Sequence, residues 1–335
     1  MPDYPNAMTL AQHAVISNDP LALYVVNSVH SLGSVAQDIP FKNTGTMKTR
    51  GVRFTNDGLP TPTFRKVNAK TESVRANFQD QTEQAYILSN NIDVDRAVLL
   101  DKNAISDPRV VQLNAYMQSV MFMTNDFFFN NNHTSGNADA PVGLRARIDN
   151  PSVYGINSAM KIDGGGVVMT TSLTADSANQ FLALLQKVLY DMGAPDGDGV
   201  VFYMNETLRV RFDMAVRKLG AGAGFNTLQD AFGRTVDRFK NAVIRTVGRK
   251  ADGSTKIITD TETNAGADGA STFTSLYAAR YGEGFGMGWQ MEPLKIQDYG
   301  QVSGENYWRL FIEWIYGYMF EHDRSIARVY NIKVS

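Results

Sequence analysis

The four histidines are the first residues to test for chemistry, because imidazole is a common metal ligand and general base. They are widely scattered, and none has the HExxH spacing or another spacing that would place two ligands on one face; they are His13, His30, His133 and His322. No GxSxG motif offers a serine nucleophile. The chain has no cysteine, so disulfides, thiolate zinc sites and cysteine nucleophiles are excluded. These residues predict no catalytic site, no metal site and no cofactor.

Three further segments resemble ligand-binding motifs without matching them. Asp191, Asp196 and Asp198 lie near a predicted turn and could hold a cation, but their spacing is not that of an EF-hand. The glycine-rich segments Gly220–Phe225 and Gly282–Gly288 invite a nucleotide-binding interpretation. A dinucleotide fingerprint must join a strand to a helix N-terminus, whereas the first segment follows a predicted helix and the second precedes a strand-like run. Neither segment predicts a nucleotide site.

Composition describes a folded chain without a strong electrostatic preference. Its 335 residues are enough for two domains, and 43% are hydrophobic and 20% charged. The formal net charge of −2 gives no global positive field that would attract nucleic acid or an anionic membrane. The first residues, MPDYPNAM, lack the basic and apolar run of a secretory signal, so we expect folding in the cytoplasm.

The stretch 107–130 predicts the element around which the other elements are arranged. Asp107 followed by Pro108 is a helix N-cap and first-turn signal. Apolar residues then recur at three- and four-residue steps, which places them on one helix face: Val110, Leu113, Met117, Val120, Met121, Phe127 and Phe128. Such a helix is either the ordinary core helix of a domain or a spine along which a thin, extended domain is built.

The segment Thr46–Asn77 predicts an extended hairpin that turns at Asn56-Asp57-Gly58. It has few large apolar residues, and its two acids are outnumbered by its basic residues Lys48, Arg50, Arg53, Arg65, Lys66, Lys70 and Arg75. A lone two-stranded hairpin is marginally stable in water, so we expect it to gain order from a partner surface. A solvated basic hairpin is the simpler alternative. Nucleic acid is disfavoured, because the surrounding chain adds neither a basic surface nor stacking aromatics.

The remaining elements predict a mixed α+β chain. Residues Met8–Gly33 read as two short helices that lie on their own domain or on a neighbouring subunit. A helix–strand–helix module follows at 176–219, with Asn205 as the N-cap of its second helix, and Gly248–Ser271 reads as a long mobile loop. Near the end, alternating aromatic and aliphatic residues predict a long strand from Trp308 to Phe320, and a second strand returns from Ile326 to Ile332. A strand this apolar must be covered, paired or central.

The closing segment WRLFIEWIYGYMFEHDRSIARVYNI, Trp308–Ile332, resembles the last strands of tailed-bacteriophage major capsid proteins, whose fold is named after phage Hong Kong 97. In that family a residue such as Arg324 before Ser or Pro marks the turn. The resemblance covers most of the chain by element order. It implies an α+β Hong Kong 97-type capsid fold with an N-terminal arm, an extended β-hairpin loop, a peripheral domain with a long spine helix, and an axial domain.

The resemblance also implies a division of the chain. Residues 1–45 would be the arm and 46–77 the extended loop that reaches over the adjacent subunit. Residues 78–140 and 288–335 would form the peripheral domain, with the spine helix at 107–130. Residues 141–287 would form the axial domain, with Gly248–Ser271 near the axis of each ring of subunits.

The implied function is a major capsid protein that assembles through hexamers and pentamers into an icosahedral shell around double-stranded DNA, which it contacts non-specifically. The protein would be a virion component assembled in the host bacterial cytoplasm, without a membrane. Separate scaffolding, portal and decoration proteins are possible partners. A portal or tail subunit, or an oligomeric enzyme, is the alternative.

Two groups of contact residues follow from the same resemblance. The extended loop would touch the next subunit through Lys48, Arg50, Arg53, Arg65, Lys66 and Lys70. Residues at the junction of three rings would be Ser303, Glu305 and Asn306. Some family members link a loop lysine covalently to an asparagine near that junction, for which Lys66 or Lys70 with Asn306 would be the candidates, but no catalytic acid can be assigned.

Overall fold

The computed structural model describes residues 35–54, 60–76, 78–100, 107–220, 225–229, 235–262 and 272–335. The strands in these ranges are β1 Phe41–Asn43, β2 Lys48–Phe54, β3 Phe78–Gln84, β4 Tyr86–Asp95, β5 Lys161–Asp163, β6 Val200–Asn205, β7 Phe225–Gln229, β8 Thr235–Phe239, β9 Ala242–Val247, β10 Phe273–Arg280, β11 Gly286–Gln301, β12 Tyr307–Phe320 and β13 Ile326–Lys333. The α-helices are α1 Arg96–Leu99, α2 Pro108–Asn130, α3 Leu144–Asp149, α4 Pro151–Tyr154, α5 Ala175–Asp191 and α6 Glu206–Leu219. The mixture of helices and sheets confirms the α+β class.

The predicted spine helix is present as α2. The Asp107 carboxylate accepts from the backbone N–H of Arg109 at 2.9 Å, and Pro108 occupies the first turn, as the sequence predicted. Most of the predicted stripe is buried, and Leu113, Met117 and Val120 are at most 2% exposed. A 23-residue helix therefore has one face fixed to the body along most of its length.

The first sheet, in the order β1-β11-β12-β4, lies against this helix. The helix stripe packs on Ile312 of β12 and on partly buried Leu88, Ile92, Leu294 and Ile296 of the same sheet. The long strand β12 pairs with β11 on one side and with β4 on the other. The apolar strand predicted near the end of the chain is thus central in its sheet, which removes the exposed edge.

The second sheet has seven strands in the order β5-β13-β10-β6-β9-β8-β7. The helices α5 and α6 pack together at Phe181 and Phe212, whose ring centroids are 6.1 Å apart. Asn205 ends β6 and caps α6 by accepting from the Leu208 N–H at 2.8 Å, which confirms the predicted cap. Phe128 of α2 meets Tyr318 of β12 and Tyr203 of β6, so the two sheets share one core.

The last two strands do not form the hairpin that the sequence suggested. β12 belongs to the first sheet, whereas β13 pairs with β10 and β5 in the second. The chain changes sheets in the turn 321–325, because both sides of β12 are already occupied by β11 and β4. Residues Ile326–Lys333 therefore lie with the elements of 141–287 rather than with the first sheet.

The described end of the predicted arm is docked on its own chain. Val35 is buried and its N–H donates to the Asn125 side chain at 3.0 Å. Asp38 accepts from Arg245 at 2.9 Å, and β1 pairs in parallel with β11. The two helices predicted within Met8–Gly33, with His13 and His30, lie outside the described residues.

Residues 248–262 of the segment predicted as a long mobile loop are folded onto the body. Asp252 accepts from the backbone N–H groups of Ser254 and Thr255 at 2.9 and 2.8 Å, which closes a turn. Ile257 and Ile258 are 1% and 2% exposed. This adjacent apolar pair holds the segment to the core. The prediction overlooked the pair because Gly, Asp and Thr dominate the composition of the segment. Residues 263–271 lie outside the described ranges.

Candidate assembly interface

The predicted extended hairpin exists, with different boundaries. Its strands are β2 and β3, paired from Lys48 with Gln84 to Phe54 with Phe78. The returning strand thus lies beyond the predicted end at Asn77, and the predicted turn Asn56-Asp57-Gly58 lies outside the described residues. The connection between the strands is much longer than a tight turn.

The described part of this connection, residues 60–76, is exposed. Pro60 and Pro62 cannot donate to a strand ladder, which favours an irregular conformation. Phe64 and Val67 are 108% and 90% exposed, so neither side chain packs on the body. Exposed apolar side chains beside clustered cations are typical of an interaction surface rather than of a solvated loop.

Five of the six predicted contact cations are exposed and form no ion pair with the described part of the chain: Lys48, Arg50, Arg65, Lys66 and Lys70. Arg65 donates only to the carbonyl oxygen of Ala69, at 3.0 Å. The described loop therefore presents cations whose charges are not neutralised by any residue in the described ranges.

Arg53, the sixth predicted contact cation, is not on the surface as predicted. Its side chain is 5% exposed and donates to the Phe320 carbonyl oxygen at 3.1 Å. Burial lowers the pKa of Arg53, and this effect outweighs the charge of nearby Glu83, which acts to raise it. In a strand, successive side chains face opposite sides, and position 53 faces the body while Lys48 and Arg50 face outward. Arg53 cannot meet a neighbouring subunit in this conformation.

Sequence reasoning missed a buried ion pair at the base of the hairpin. Arg147 of α3 is 2% exposed and donates two hydrogen bonds, of 2.6 and 3.1 Å, to the carboxylate of Glu83 in β3. The rings of Tyr154 and Phe320 each lie 5.4 Å from the Arg147 guanidinium carbon. Residues 83 and 147 are 64 positions apart, so no local pattern pointed to their contact.

The electrostatics of this pair favour its charged form. Burial acts to raise the pKa of Glu83, but the charge and hydrogen bonds of Arg147, with a further hydrogen bond from Gln81, lower it below the ordinary 4.5. Burial likewise opposes the charge on Arg147, and Glu83 more than offsets it, so the pKa of Arg147 is raised. Glu83 is therefore a carboxylate at neutral pH.

The face of the first sheet opposite α2 carries a candidate complementary surface. A cleft of about 120 Å³ lies between β11 and β12 and is lined by Met291, Glu292, Pro293, Lys295, Glu313 and Ile315. Because side chains alternate along a strand, Glu313 and Ile315 face away from the helix on which Ile312 packs. Glu292 and Glu313 form no ion pair with any residue in the ranges that the structure describes. Acidic and apolar groups thus occur together on one sheet face.

The predicted junction residues occupy the turn between β11 and β12. Ser303, Glu305 and Asn306 are all exposed, and the Asn306 carbonyl oxygen accepts from the Arg96 N–H at 2.9 Å. No hydrogen bond or ion pair joins this turn to residues 60–76. Within one chain, the structure does not bring the two predicted contact groups together.

Those of the residues first tested for chemistry that the structure describes form no common site. No group of three histidine or acidic side chains among the described residues could hold a metal ion, and Asp191, Asp196 and Asp198 form no such group. His133 lies 2.7 Å from the Ala140 carbonyl oxygen, and His322 stacks on Phe285. No described helix is long and apolar enough to cross a membrane.

The sequence matches the family model for the major capsid protein GP7 over residues 19–174, slightly less than half of the chain. No curated protein matches it at a significant level. The matched region runs from the predicted arm through the hairpin and the spine helix to the start of α5.

Solved structures of a GTA capsid, an encapsulin complex and a phage share the fold at low sequence identity. The capsid of an empty GTA particle covers 90% of each chain with a TM-score of 0.57 and 13% identity. The SrpI encapsulin complex from Synechococcus elongatus PCC 7942 covers 89% of this chain and 87% of its own, with a TM-score of 0.59 and 9% identity. The match to the structure of Mycobacterium phage Bobi covers 98% of this chain and 99% of the other chain, with a TM-score of 0.52 and 12% identity. These similarities show a Hong Kong 97-type capsid fold.

Proposed function

We propose that this chain is a tailed-phage major capsid protein of the Hong Kong 97 type, that its copies form rings of five and six, and that these rings close an icosahedral shell around double-stranded DNA. Heterologous contacts close into rings when the rotation allows, and rings joined along other edges close into a shell. Capsid proteins are structural components of a virion. The family match therefore supports neither the enzyme alternative nor a portal or tail subunit.

The observation that carries the proposal is the exposed loop 60–76. Its apolar side chains, Phe64 and Val67, have no packing partner within the described chain, and its cations have no counter-charge there. Leaving such a loop in water would be unfavourable for a solitary monomer. A second copy of the same chain supplies the missing surface, with Arg50, Arg65 and Lys66 directed at its carboxylates.

The cleft between β11 and β12, where Glu292 and Glu313 lie beside Lys295, is the complementary surface that we propose for this loop. Glu292 and Glu313 provide charge opposite to that of Arg65 and Lys66, and Ile315 provides apolar contact. Each exposed ion pair contributes only about 0–1 kcal/mol. Because the same contact repeats at every subunit, the sum is sufficient to favour a closed shell over free monomers.

We also propose the division of the chain into arm, extended loop, peripheral domain and axial domain, with two adjustments. The loop ends at Gln84 rather than at Asn77, and β13 joins the axial sheet. Ser303, Glu305 and Asn306 remain the proposed residues of the junction between rings. Assembly takes place in the host cytoplasm, with separate scaffolding, portal and decoration proteins as possible partners and with non-specific contacts to the packaged DNA.

Charge reversal tests the loop contact. The variant Arg65→Glu/Lys66→Glu should reduce the yield of closed particles at least ~tenfold, because like charges at a contact cost several kcal/mol. Particle yield is measured by sedimentation and electron microscopy, and the helicity of the unassembled chain by circular dichroism. Two control variants should assemble normally. Arg65→Lys/Lys66→Arg keeps the loop charges, and Lys187→Glu/Arg217→Glu makes the same net charge change at exposed helix positions.

The complementary reversal identifies the receiving surface. Glu292→Lys/Glu313→Lys should also reduce particle yield, and combining it with the loop reversal should restore assembly in part. Normal particles from the loop reversal would contradict the proposed contact. If each reversal alone blocks assembly and the combined variant also fails to assemble, the loop cations contact carboxylates other than Glu292 and Glu313.

A further inference from the structure

Among its described side chains, the hairpin is attached to its own body by charged groups rather than by apolar ones. No apolar side chain that the structure describes between Lys48 and Gln84 is buried, and Val52 is 50% exposed. Among the described side chains of this segment, the buried residues are Gly51 and Arg53. These described side chains provide little hydrophobic stabilisation to fix the direction of the hairpin.

Three charged residues supply the attachment instead, and we call them the hairpin clasp: Arg53, Glu83 and Arg147. Each strand of the hairpin contributes one member. Arg53 of β2 reaches the Phe320 carbonyl oxygen, while Glu83 of β3 holds Arg147 of α3. Arg147 also donates from Nε to the Val142 carbonyl oxygen at 3.2 Å, which fixes its own direction. The two strands are thus tied to different parts of the body.

Two glycines allow the hairpin to approach this closely. A Cβ atom at Gly155 would lie 1.7 Å from an Arg53 guanidinium nitrogen, and the backbone there has a φ of +60°. A Cβ atom at Gly51 would lie 1.7 Å from the Met319 terminal methyl carbon. The sequence therefore has no side chain at the two points where the clasp and its strand meet the body.

We propose that the clasp is a positioning device that sets the angle at which the hairpin leaves the body, so that its tip is held where a neighbouring copy can receive it. This inference rests on the proposed function of the loop. Directional, bidentate ion pairs fix orientation as well as distance. Without the clasp the hairpin pivots about its base near Ala85, because few other contacts resist rotation.

The absence of native cysteine allows a direct test on the full-length, unassembled chain. Spin labels on introduced cysteines, Lys70→Cys on the loop and Tyr190→Cys on α5, report the distance between the hairpin and the body by pulsed electron paramagnetic resonance. Glu83→Gln should broaden the distance distribution and remove its main peak. Asp80→Asn, on the exposed face of the same strand, should leave the distribution unchanged.

A merely stabilising pair would give a different result. It would lower the melting midpoint in Glu83→Gln without altering the distance distribution, and that outcome would overturn the proposal. If Glu83→Gln does not fold, Arg53→Met removes the contact with Phe320 while keeping the Glu83–Arg147 pair. It should also broaden the distribution, and an unchanged distribution in Arg53→Met would equally overturn the clasp.

Assembly assays separate the two proposals. If the distance distribution is unchanged in Glu83→Gln while Arg65→Glu/Lys66→Glu blocks assembly, the positioning role of the clasp is refuted and the proposed function stands. If the distribution is broadened in Glu83→Gln while Arg65→Glu/Lys66→Glu assembles normally, the proposed loop contact is refuted and the clasp remains a property of the fold.

Discussion

At the scale of single residues, the chemistry of this protein lies in paired charges. The buried Glu83–Arg147 pair joins the hairpin to the body, and neither residue is distinguished in the sequence from the exposed charges around it. A buried pair is costly to form and more costly to break, since removing one member leaves an uncompensated charge. Its pH dependence follows from the lowered pKa of Glu83.

The substitution Glu83→Gln should destabilise the unassembled chain by about 3–5 kcal/mol at pH 7. Because the pKa of Glu83 is lowered in the folded chain, its contribution is fully present above the ordinary value of 4.5 and is lost as the pH falls through the folded value. The difference between parent and variant should therefore shrink in acid. Urea unfolding at pH 7 and at successively lower pH measures it, and a difference independent of pH would contradict the assignment.

At the scale of elements, close backbone approaches decide where helices begin. Gly143 precedes α3, and a Cβ atom there would lie 2.7 Å from the Phe127 carbonyl oxygen and 2.8 Å from the Asn131 nitrogen. Both are backbone atoms at the end of the spine helix and cannot rotate away. The start of α3, and with it Arg147, is positioned by this contact.

The substitution Gly143→Ala should destabilise the chain by about 1–3 kcal/mol, because the added methyl group forces α2 and α3 apart. Gly248→Ala is the control, since nothing lies within 4 Å of a Cβ atom there, and it should change stability by less than about 0.5 kcal/mol. Both values come from chemical unfolding. Equal stability of the two variants would show that the helices separate without cost.

Elements with strong local signals were predictable, and long-range pairings were not. The Asp107 cap, the apolar stripe of α2 and the Asn205 cap before α6 are each encoded within a few residues, and the structure confirms them. The change of sheet between β12 and β13 depends on which strands already flank β12, which periodicity does not report. The burial of Arg53 and its place near Glu83 and Arg147 depend on contacts hundreds or tens of residues away.

At the scale of the whole molecule, the described body is packed around a shared core, whereas the described part of the loop is not packed on it. The two sheets share a core with the spine helix, and the described end of the arm returns to the body through Asp38 and β1. Residues 60–76 leave that body with exposed apolar and cationic side chains. The fold is of the Hong Kong 97 type, and in the assembly that we propose a neighbouring copy covers this loop.

The decisive measurement is cryo-electron microscopy of particles formed by the purified full-length protein, with a scaffold where one is required. We expect closed icosahedral shells in which residues 60–76 of one copy lie against the β11–β12 face of an adjacent copy, near Glu292 and Glu313. Shells whose loops touch no neighbouring copy, or a protein that remains a stable monomer with the loop folded on its own body, would refute the proposed assembly.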